Sequence, residues 1–326
     1  MTPILVTGAA GFAGSHLLDR LVGPSKLGPY APTADDRTDG MSEVVAWYRP
    51  GGHAPTGARA RWDAVDVLDA LAVRRAIAEL RPEIVYHCAG AAHVGRAWDE
   101  VESTLRTNVR GTHHVLDALR RAGVKARVVI PSSALVYAGG QAALDEDAPL
   151  VPAGPYGVSK LAQELAGVHA IGGGLDVTIA RAFNHFGPRQ DPWFAASGFA
   201  RRIADIEAGR WKPEIAVGNL DAQRDLTDVR DTVRAYQLIA ERAKPGRAYN
   251  VCSGRAIVIR DLLEMMLARA RVPIAVRVDP ARYRPNDTPV ILGNPGRIRD
   301  ELGWTAEIPL EQTIDDLLDD WRTRTP

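Results

Sequence analysis

The chain holds little sulfur, no excess of charge of either sign and no apolar run long enough to cross a bilayer. Of its 326 residues two are cysteines, Cys88 and Cys252. Neither belongs to a metal-type spacing, so a disulfide framework and a cysteine metal site are set aside, and both thiols are expected to be buried and inert. Such cysteine usage fits a reducing, cytoplasmic compartment. Lys plus Arg equals Asp plus Glu at 40 each, which removes any global charge argument for nucleic acid or an anionic membrane as partner. A membrane span needs about 20 consecutive apolar residues, and the chain offers none; its first residues also lack a signal-peptide pattern. No metal is expected. The length suffices for one large α/β unit or two intimately joined domains.

What is present begins at the N-terminus. Ile4-Leu5-Val6 is a short apolar run that feeds Thr7-Gly8-Ala9-Ala10-Gly11-Phe12-Ala13-Gly14, after which Ser15-His16-Leu17-Leu18 opens a helix. A buried strand, a glycine-rich turn and a helix form the sequence signature of a dinucleotide site. Gly8 allows the tight turn, Gly11 lets the backbone approach a pyrophosphate, and Gly14 lets helix and strand pack closely. The free N–H groups and positive dipole end of the helix then face the phosphates.

Further along, strands are expected at 44–48, 84–89, 127–130 and 175–180, separated by helices at 68–80, at 108–122 and around Tyr156. This alternation predicts an α/β fold with a Rossmann-like, doubly wound parallel sheet. Ligands of such sheets bind at the carboxyl ends of the strands, so Gly8, Ala89, Gly90, Ser132, Ser133 and Asn184 are expected to face one crevice. Pro-rich turns at 284–289 and helices at 258–268 and 310–321 predict a smaller C-terminal α/β substrate-binding domain. An amphipathic helix at 226–240 is expected to return to the main sheet. The division is then 1–183 with 225–250 for the dinucleotide and 184–224 with 251–326 for the substrate. The tract Gly23–Ser42 is far longer than usual connections and is expected to be an inserted surface loop, a candidate lid or subunit contact.

The chemistry is concentrated at Tyr156-Gly157-Val158-Ser159-Lys160. Residues four apart on a helix are neighbours. An ammonium about 4 Å from a phenol, at an effective dielectric near 20, favours the phenolate by about 4 kcal/mol. The expectation is a Tyr156 pKa lowered from about 10 towards neutrality, suited to exchanging protons with a sugar or alcohol oxygen. Ser133, after the fourth strand-like run, can donate to the same oxygen and completes a Ser133–Tyr156–Lys160 set.

These motifs resemble the extended short-chain dehydrogenase/reductase family that acts on nucleotide sugars. Supporting landmarks are Asp66-Val67-Leu68-Asp69, His87-Cys88-Ala89-Gly90, Thr107-Asn108-Val109-Arg110-Gly111-Thr112 and Asn250-Val251-Cys252-Ser253-Gly254. The resemblance implies that Gly8, Gly11, Phe12, Ala13 and Gly14 hold the cofactor diphosphate and that Asp66 and Val67 meet the adenine. It further implies that Ala89, Gly90, Asn108, Tyr156 and Lys160 line the cofactor. The segments 181–190, 217–225, 249–255 and 284–287 resemble the GDP-4-dehydro-6-deoxy-D-mannose reductase branch, which makes GDP-D-rhamnose. That likeness implies substrate contacts from His93, Ser133, Asn184, Asn219, Arg224 and Arg284; arginine suits a diphosphate because its planar fork pairs bidentately with phosphate.

One further absence narrows the reaction. Related 4,6-dehydratases carry a Glu two residues before the tyrosine that corresponds to Tyr137; here Leu135 stands there and cannot transfer a proton. A dehydratase is disfavoured, while reductase and epimerase are not separated. The second strand ends Trp47-Tyr48-Arg49-Pro50-Gly51-Gly52 without the acid that would bind a ribose 2′-OH. Arg49 is therefore expected to anchor a 2′-phosphate, which favours NADP(H) with NAD(H) as the alternative. The leading expectation is reduction of the C4 ketone of a GDP-linked 4-keto-6-deoxyhexose. A nucleotide-sugar 4-epimerase with tightly held NAD is the second, and a non-catalytic nucleotide-binding protein the third. The resemblance also implies a homodimer through the helices bearing Asn108 and Tyr156.

Overall fold

The computed structural model describes residues 3–23, 43–52, 60–140, 142–282 and 288–324. The tract expected as an inserted loop lies, from residue 24 to 42, outside the described residues, as does Arg284.

In chain order the elements begin β1 (Ile4–Thr7), α1 (Phe12–Val22), β2 (Val44–Tyr48), β3 (Arg61–Ala64), α2 (Ala70–Leu80), β4 (Ile84–His87), α3 (Val101–Leu105), α4 (Gly111–Arg121), β5 (Arg127–Ser133), α5 (Pro155–Ile171) and β6 (Asp176–Ala182). They continue β7 (Asn184–Phe186), α6 (Ala195–Glu207), β8 (Glu214–Val217), β9 (Gln223–Asp228), α7 (Val229–Arg242), β10 (Ala248–Val251), β11 (Ala256–Val258) and α8 (Ile259–Leu267). The chain closes with β12 (Ala275–Val278), β13 (Val290–Ile291), α9 (Gly296–Leu302) and α10 (Leu310–Arg324).

Seven strands form one sheet in the order β10-β6-β5-β4-β1-β2-β3, and every neighbouring pair is parallel. The chain winds outward from β1 to β3, crosses back over β1 and winds the other way from β4. The crevice of such a sheet opens where the winding reverses, here between the ends of β1 and β4, with Thr7 in register with His87. Side chains alternate across the strands. Ile4, Val6, Val44, Ala46 and Tyr86 pack into the layer of α1, α7 and α9. Leu5, Val45, Val85, Val128 and Ile130 pack into the opposite layer of α2, α4 and α5.

Several boundaries differ from expectation for physical reasons. Strand β3 was not expected: it is an edge strand of sequence Arg-Trp-Asp-Ala, half-exposed and without an apolar alternation. The helix expected from 108 begins at Val101 and passes through a π turn at Arg106–Arg110. Ser132 and Ser133 are the last two residues of β5 rather than the residues following it. Leu226, Thr227 and Asp228 belong to β9, and Asp228 caps α7 by accepting from Arg230 N. Asn184 opens a further strand, β7, paired with β9.

The cap is built on β9, flanked by β7, β11 and β13, with α6, α8 and α10 closing a core of Ile203, Leu262, Leu317 and Trp321. α9 packs elsewhere: Ile298, Leu302 and the following Trp304 lie in the core beneath α1 and α7. That stretch joins the main sheet rather than the cap, in which the whole of 251–326 was expected. Among the described residues no helix is long and apolar enough to cross a membrane.

Candidate active site

The glycine turn is held by backbone crowding. Gly8 has φ 64°, a region few side chains adopt, and a Cβ there would stand 2.6 Å from the Ala89 backbone. A Cβ on Gly14 would lie 2.3 Å from the Gly8 carbonyl. Strand β1, helix α1 and the end of β4 therefore meet at one point. Gly11 caps α1 without a side-chain acceptor, and no acid stands in the first turn of that helix. Helix α2 differs, because Asp69 accepts from Leu71 N and Ala72 N, each at 3.0 Å. The α1 N-terminus is thus left to an outside anion.

The other residues expected at the cofactor fall into place unevenly. Arg49 is exposed just beyond β2, its carbonyl taken by Gly52 N at 2.9 Å. Asp66 Oδ1 accepts from Leu68 N at 2.9 Å, and the Val67 carbonyl meets His114 Nδ1 at 2.9 Å. The Phe12 ring stacks on His185, centroids 5.8 Å apart, so its backbone rather than its ring is left for a phosphate; Ala13 lies half-buried beside it. Asn108 is fully buried. Its amide accepts from Ala91 N (2.7 Å) and donates to the Ala91 carbonyl (3.2 Å) and Ser159 Oγ (2.8 Å). Asn108 thus splints the loop after Ala89-Gly90 against α5, rather than lining the crevice as expected.

Ser133, Tyr156 and Lys160 come together at the end of β5 and the first turns of α5. The Ser133 hydroxyl is the polar group beside the Tyr156 phenol that favours its ionisation, and it accepts from Leu135 N at 3.1 Å. Lys160 Nζ donates to the Pro131 carbonyl and to Gln163 Oε1, each at 2.7 Å. The electrostatics differ from the expectation of an acidified phenol. Burial pushes Tyr156 up to about 12, opposed by Ser133 alone. Burial also brings Lys160 down to about 8, against the pull of Cys88 and Glu164. Desolvation outweighs the charge pairing that the i, i+4 spacing suggests. The phenol keeps its proton at neutral pH.

Two cavities matter here, of which the first adjoins this set through Tyr156. One of about 70 Å³ has Tyr156 in its wall beside Val94, Trp98, Leu135, Tyr137, Leu144 and Ile291. Among the described residues its lining includes no carboxylate, lysine or histidine. The other, of about 500 Å³ within the cap, is walled by Trp193, Phe194 and Trp211 with Arg201, Arg202 and Arg282. The His93 ring stacks on Phe194 of the larger cavity at 5.3 Å, and the adjacent Val94 lines the smaller one. The guanidinium of Arg202 lies 3.8 Å from the Trp211 ring centroid, a cation–π contact.

The remaining residues expected at a substrate are scattered around these cavities. Arg224 is in register with Ile291 of the smaller one, its Nη1 donating to the Gln223 carbonyl at 2.8 Å. Asn184 is exposed at the start of β7. Asn219 Oδ1 accepts from Asp221 N at 2.9 Å, which closes a turn. Sequence reasoning missed the aromatic and arginine wall of the larger cavity. It also missed the buried ion pair beneath the site. Arg181 donates to both carboxylate oxygens of Glu164, Nε to Oε1 at 3.1 Å and Nη2 to Oε2 at 2.9 Å. Arg181 Nη1 also donates to Tyr137 Oη at 2.9 Å, and Ser132 Oγ donates to Glu164. Glu164 stands four residues after Lys160 and shares its helix face, the one signal that was available.

Comparison with known proteins agrees with this geometry. The family model for GDP-mannose 4,6 dehydratase matches residues 5–317. The GDP-6-deoxy-D-mannose reductase of Pseudomonas aeruginosa is 33% identical over 325 residues, 98% of this chain and 97% of its own. The UDP-glucose 4-epimerase of Mycolicibacterium smegmatis is 30% identical over 323 residues, 98% of this chain and 99% of its own. A solved structure of RMD from P. aeruginosa complexed with NADPH superposes with a TM-score of 0.82 at 30% identity, covering 99% of this chain and all of the other.

Proposed function

The chain belongs to the GDP-mannose 4,6 dehydratase family, within the extended short-chain dehydrogenases/reductases, and we propose that it is the NADP(H)-dependent reductase of a GDP-linked 4-keto-6-deoxyhexose. The family makes it a nicotinamide-dependent oxidoreductase of nucleotide sugars. The finer reading converts GDP-4-dehydro-6-deoxy-D-mannose to GDP-D-rhamnose. The observation that carries it is the cavity at Tyr156. An apolar wall that includes Leu135 fits a C6 methyl and, apart from the phenols Tyr137 and Tyr156, supplies no acid or base for eliminating water.

The glycine cradle and the uncapped α1 N-terminus fit a dinucleotide diphosphate. Gly8, Gly11, Phe12 and Gly14 would hold it through backbone groups, Arg49 the 2′-phosphate, Asp66 and Val67 the adenosine, and Lys160 the nicotinamide ribose. A bound nicotinamide supplies the hydride. Ser133 orients the ketone oxygen by hydrogen bonding, and Tyr156 donates the proton to it. A phenol raised to about 12 arrives protonated, as ketone reduction requires of its acid. Trp193, Phe194 and Trp211 offer faces to a nucleobase, and the arginines of the same wall offer forks to the diphosphate. Exposed Val158, Leu165 and Val168 on one side of α5 support the homodimer as part of this proposal.

The likeness to a UDP-glucose 4-epimerase favours one second reading, an epimerase retaining NAD. Thermal shifts separate the two. A ligand that binds only the native state at about 100-fold its dissociation constant stabilises by about 2.7 kcal/mol. GDP with NADPH is expected to raise the melting temperature more than UDP or dTDP with either cofactor. Arg49→Ala should abolish the preference for NADPH over NADH. A larger rise with UDP and NADH overturns the reading.

A further inference from the structure

We propose that Gln163 is a positioning residue for this site, its side-chain amide clamping the Lys160 ammonium to a buried hydrogen-bonded chain that ends on the glycine turn. The chain runs from Lys160 through Gln163, Thr112 and His87 to Thr7. Lys160 Nζ donates to Gln163 Oε1 (2.7 Å), and Gln163 Nε2 donates to Thr112 Oγ1 (2.7 Å). Thr112 Oγ1 donates its single proton to the Asn108 carbonyl (2.6 Å). His87 stands between Thr112 Oγ1 and Thr7 Oγ1, 2.9 Å from each, and Thr7 Oγ1 accepts from Ala89 N (3.2 Å). Thr7, Thr112 and Gln163 are fully buried and His87 is 2% exposed, so none of these groups exchanges its partner for water.

Proton counting fixes every direction in the chain. A hydroxyl has one proton and two lone pairs. Since the Thr112 proton goes to Asn108, its oxygen must accept from both Gln163 and His87. His87 is therefore protonated on Nε2, and its Nδ1 accepts from Thr7. Burial, with the nearby Lys160 cation, pushes His87 down to about 3, so the ring stays neutral and keeps that tautomer. The Gln163 amide cannot flip. Reversed, its NH2 would face an ammonium and its oxygen a hydroxyl with no proton left to give.

The consequence lies at Lys160. Two of its three N–H bonds are taken by the Pro131 carbonyl and Gln163, which sets the direction of the third. The titratable groups that act on it or feel it are Glu164 on its own helix and His87 and Cys88 from the end of β4, with Tyr156 one turn earlier on α5. β5 brings the Pro131 carbonyl and α4 brings Thr112 and Asn108, with no further charge. Gln163 is thus the neutral group that ties the ammonium to the two strand ends where the sheet reverses.

The test uses Gln163→Met, which keeps the shape and removes both polar ends, and Gln163→Glu, which keeps an acceptor and adds a charge. Lysine-selective NMR is practicable because the chain has five lysines. The Lys160 midpoint, read without substrate, should fall in Gln163→Met and rise by about one unit or more in Gln163→Glu. In Gln163→Met, kcat should fall about tenfold, the NADPH dissociation constant should rise and the sugar-nucleotide KM should stay within about threefold. An unmoved Lys160 midpoint in either folded variant, or wild-type kcat in Gln163→Met, overturns the proposal. So does a proton on Nδ1 of His87 in the wild-type protein, which imidazole NMR reads directly. The kcat arm rests on the proposed reaction; the lysine and histidine arms need no substrate, so failure of one reading is distinguishable from failure of the other.

Discussion

Tyr156→Phe is expected to lose about 10²–10⁴-fold in kcat while folding and binding dinucleotide as the wild type does. The substitution removes one oxygen and leaves the ring, so the packing of α5 against β5 is preserved. The hydroxyl's structural contribution is its polar contact with Ser133, at most about the 1 kcal/mol of a typical hydrogen bond. Its chemical contribution is the only proton in the smaller cavity, among the described residues, held by an ionisable side chain fit to protonate a ketone oxygen; the other phenol, Tyr137, donates to Asn250 Oδ1 at 2.7 Å. Steady-state turnover of the 4-keto sugar nucleotide, read beside a melting curve and an NADPH titration, checks this. Turnover within about threefold of wild type would remove Tyr156 from the role of acid.

Arg181→Leu is expected to produce the largest loss of stability, about 3–5 kcal/mol. Arg181 and Glu164 have side chains only 7% and 4% exposed. Removing the guanidinium strands a carboxylate in the interior beside Ser132, and it also deprives Tyr137 Oη and the Glu146 carbonyl of a donor. The double variant Arg181→Leu/Glu164→Leu should recover much of the loss, because an apolar pair of similar volume avoids the desolvation of two charges. Urea denaturation of the single and double variants measures both. A single variant as stable as wild type would show that the pair contributes nothing. The ion pair also anchors Ser132, next to Ser133, and fixes α5 at Glu164, four residues after Lys160 on the same face.

Much of the frame was legible in the residues. The glycine turn could be placed because each glycine answers a separate steric demand, and Gly8 and Gly14 meet theirs here at 2.6 and 2.3 Å. Continuous apolar runs located the strands that are buried on both faces. What escaped was of three physical kinds. Edge strand β3 carries no alternation to read. Leu226–Asp228 runs directly into the helix that follows, and only pairing with β7 makes it a strand. The pKa of Tyr156 was argued from a pair of charges, whereas its sign is set by burial, a property of the whole fold. The hydrogen-bonded chain through Gln163 and His87 joins residues from β1, β4, α4 and α5, and no local pattern announces such a meeting.

A protonated phenol beside an apolar cavity should complete the reduction of a 6-deoxy sugar when the enzyme is incubated with GDP-4-dehydro-6-deoxy-D-mannose and NADPH deuterated at nicotinamide C4. One NADPH should be oxidised per sugar consumed, with deuterium at C4 of the product and no turnover when the dinucleotide is omitted. Interconversion of C4 epimers by the purified protein, with no dinucleotide added and no label transferred, would contradict it.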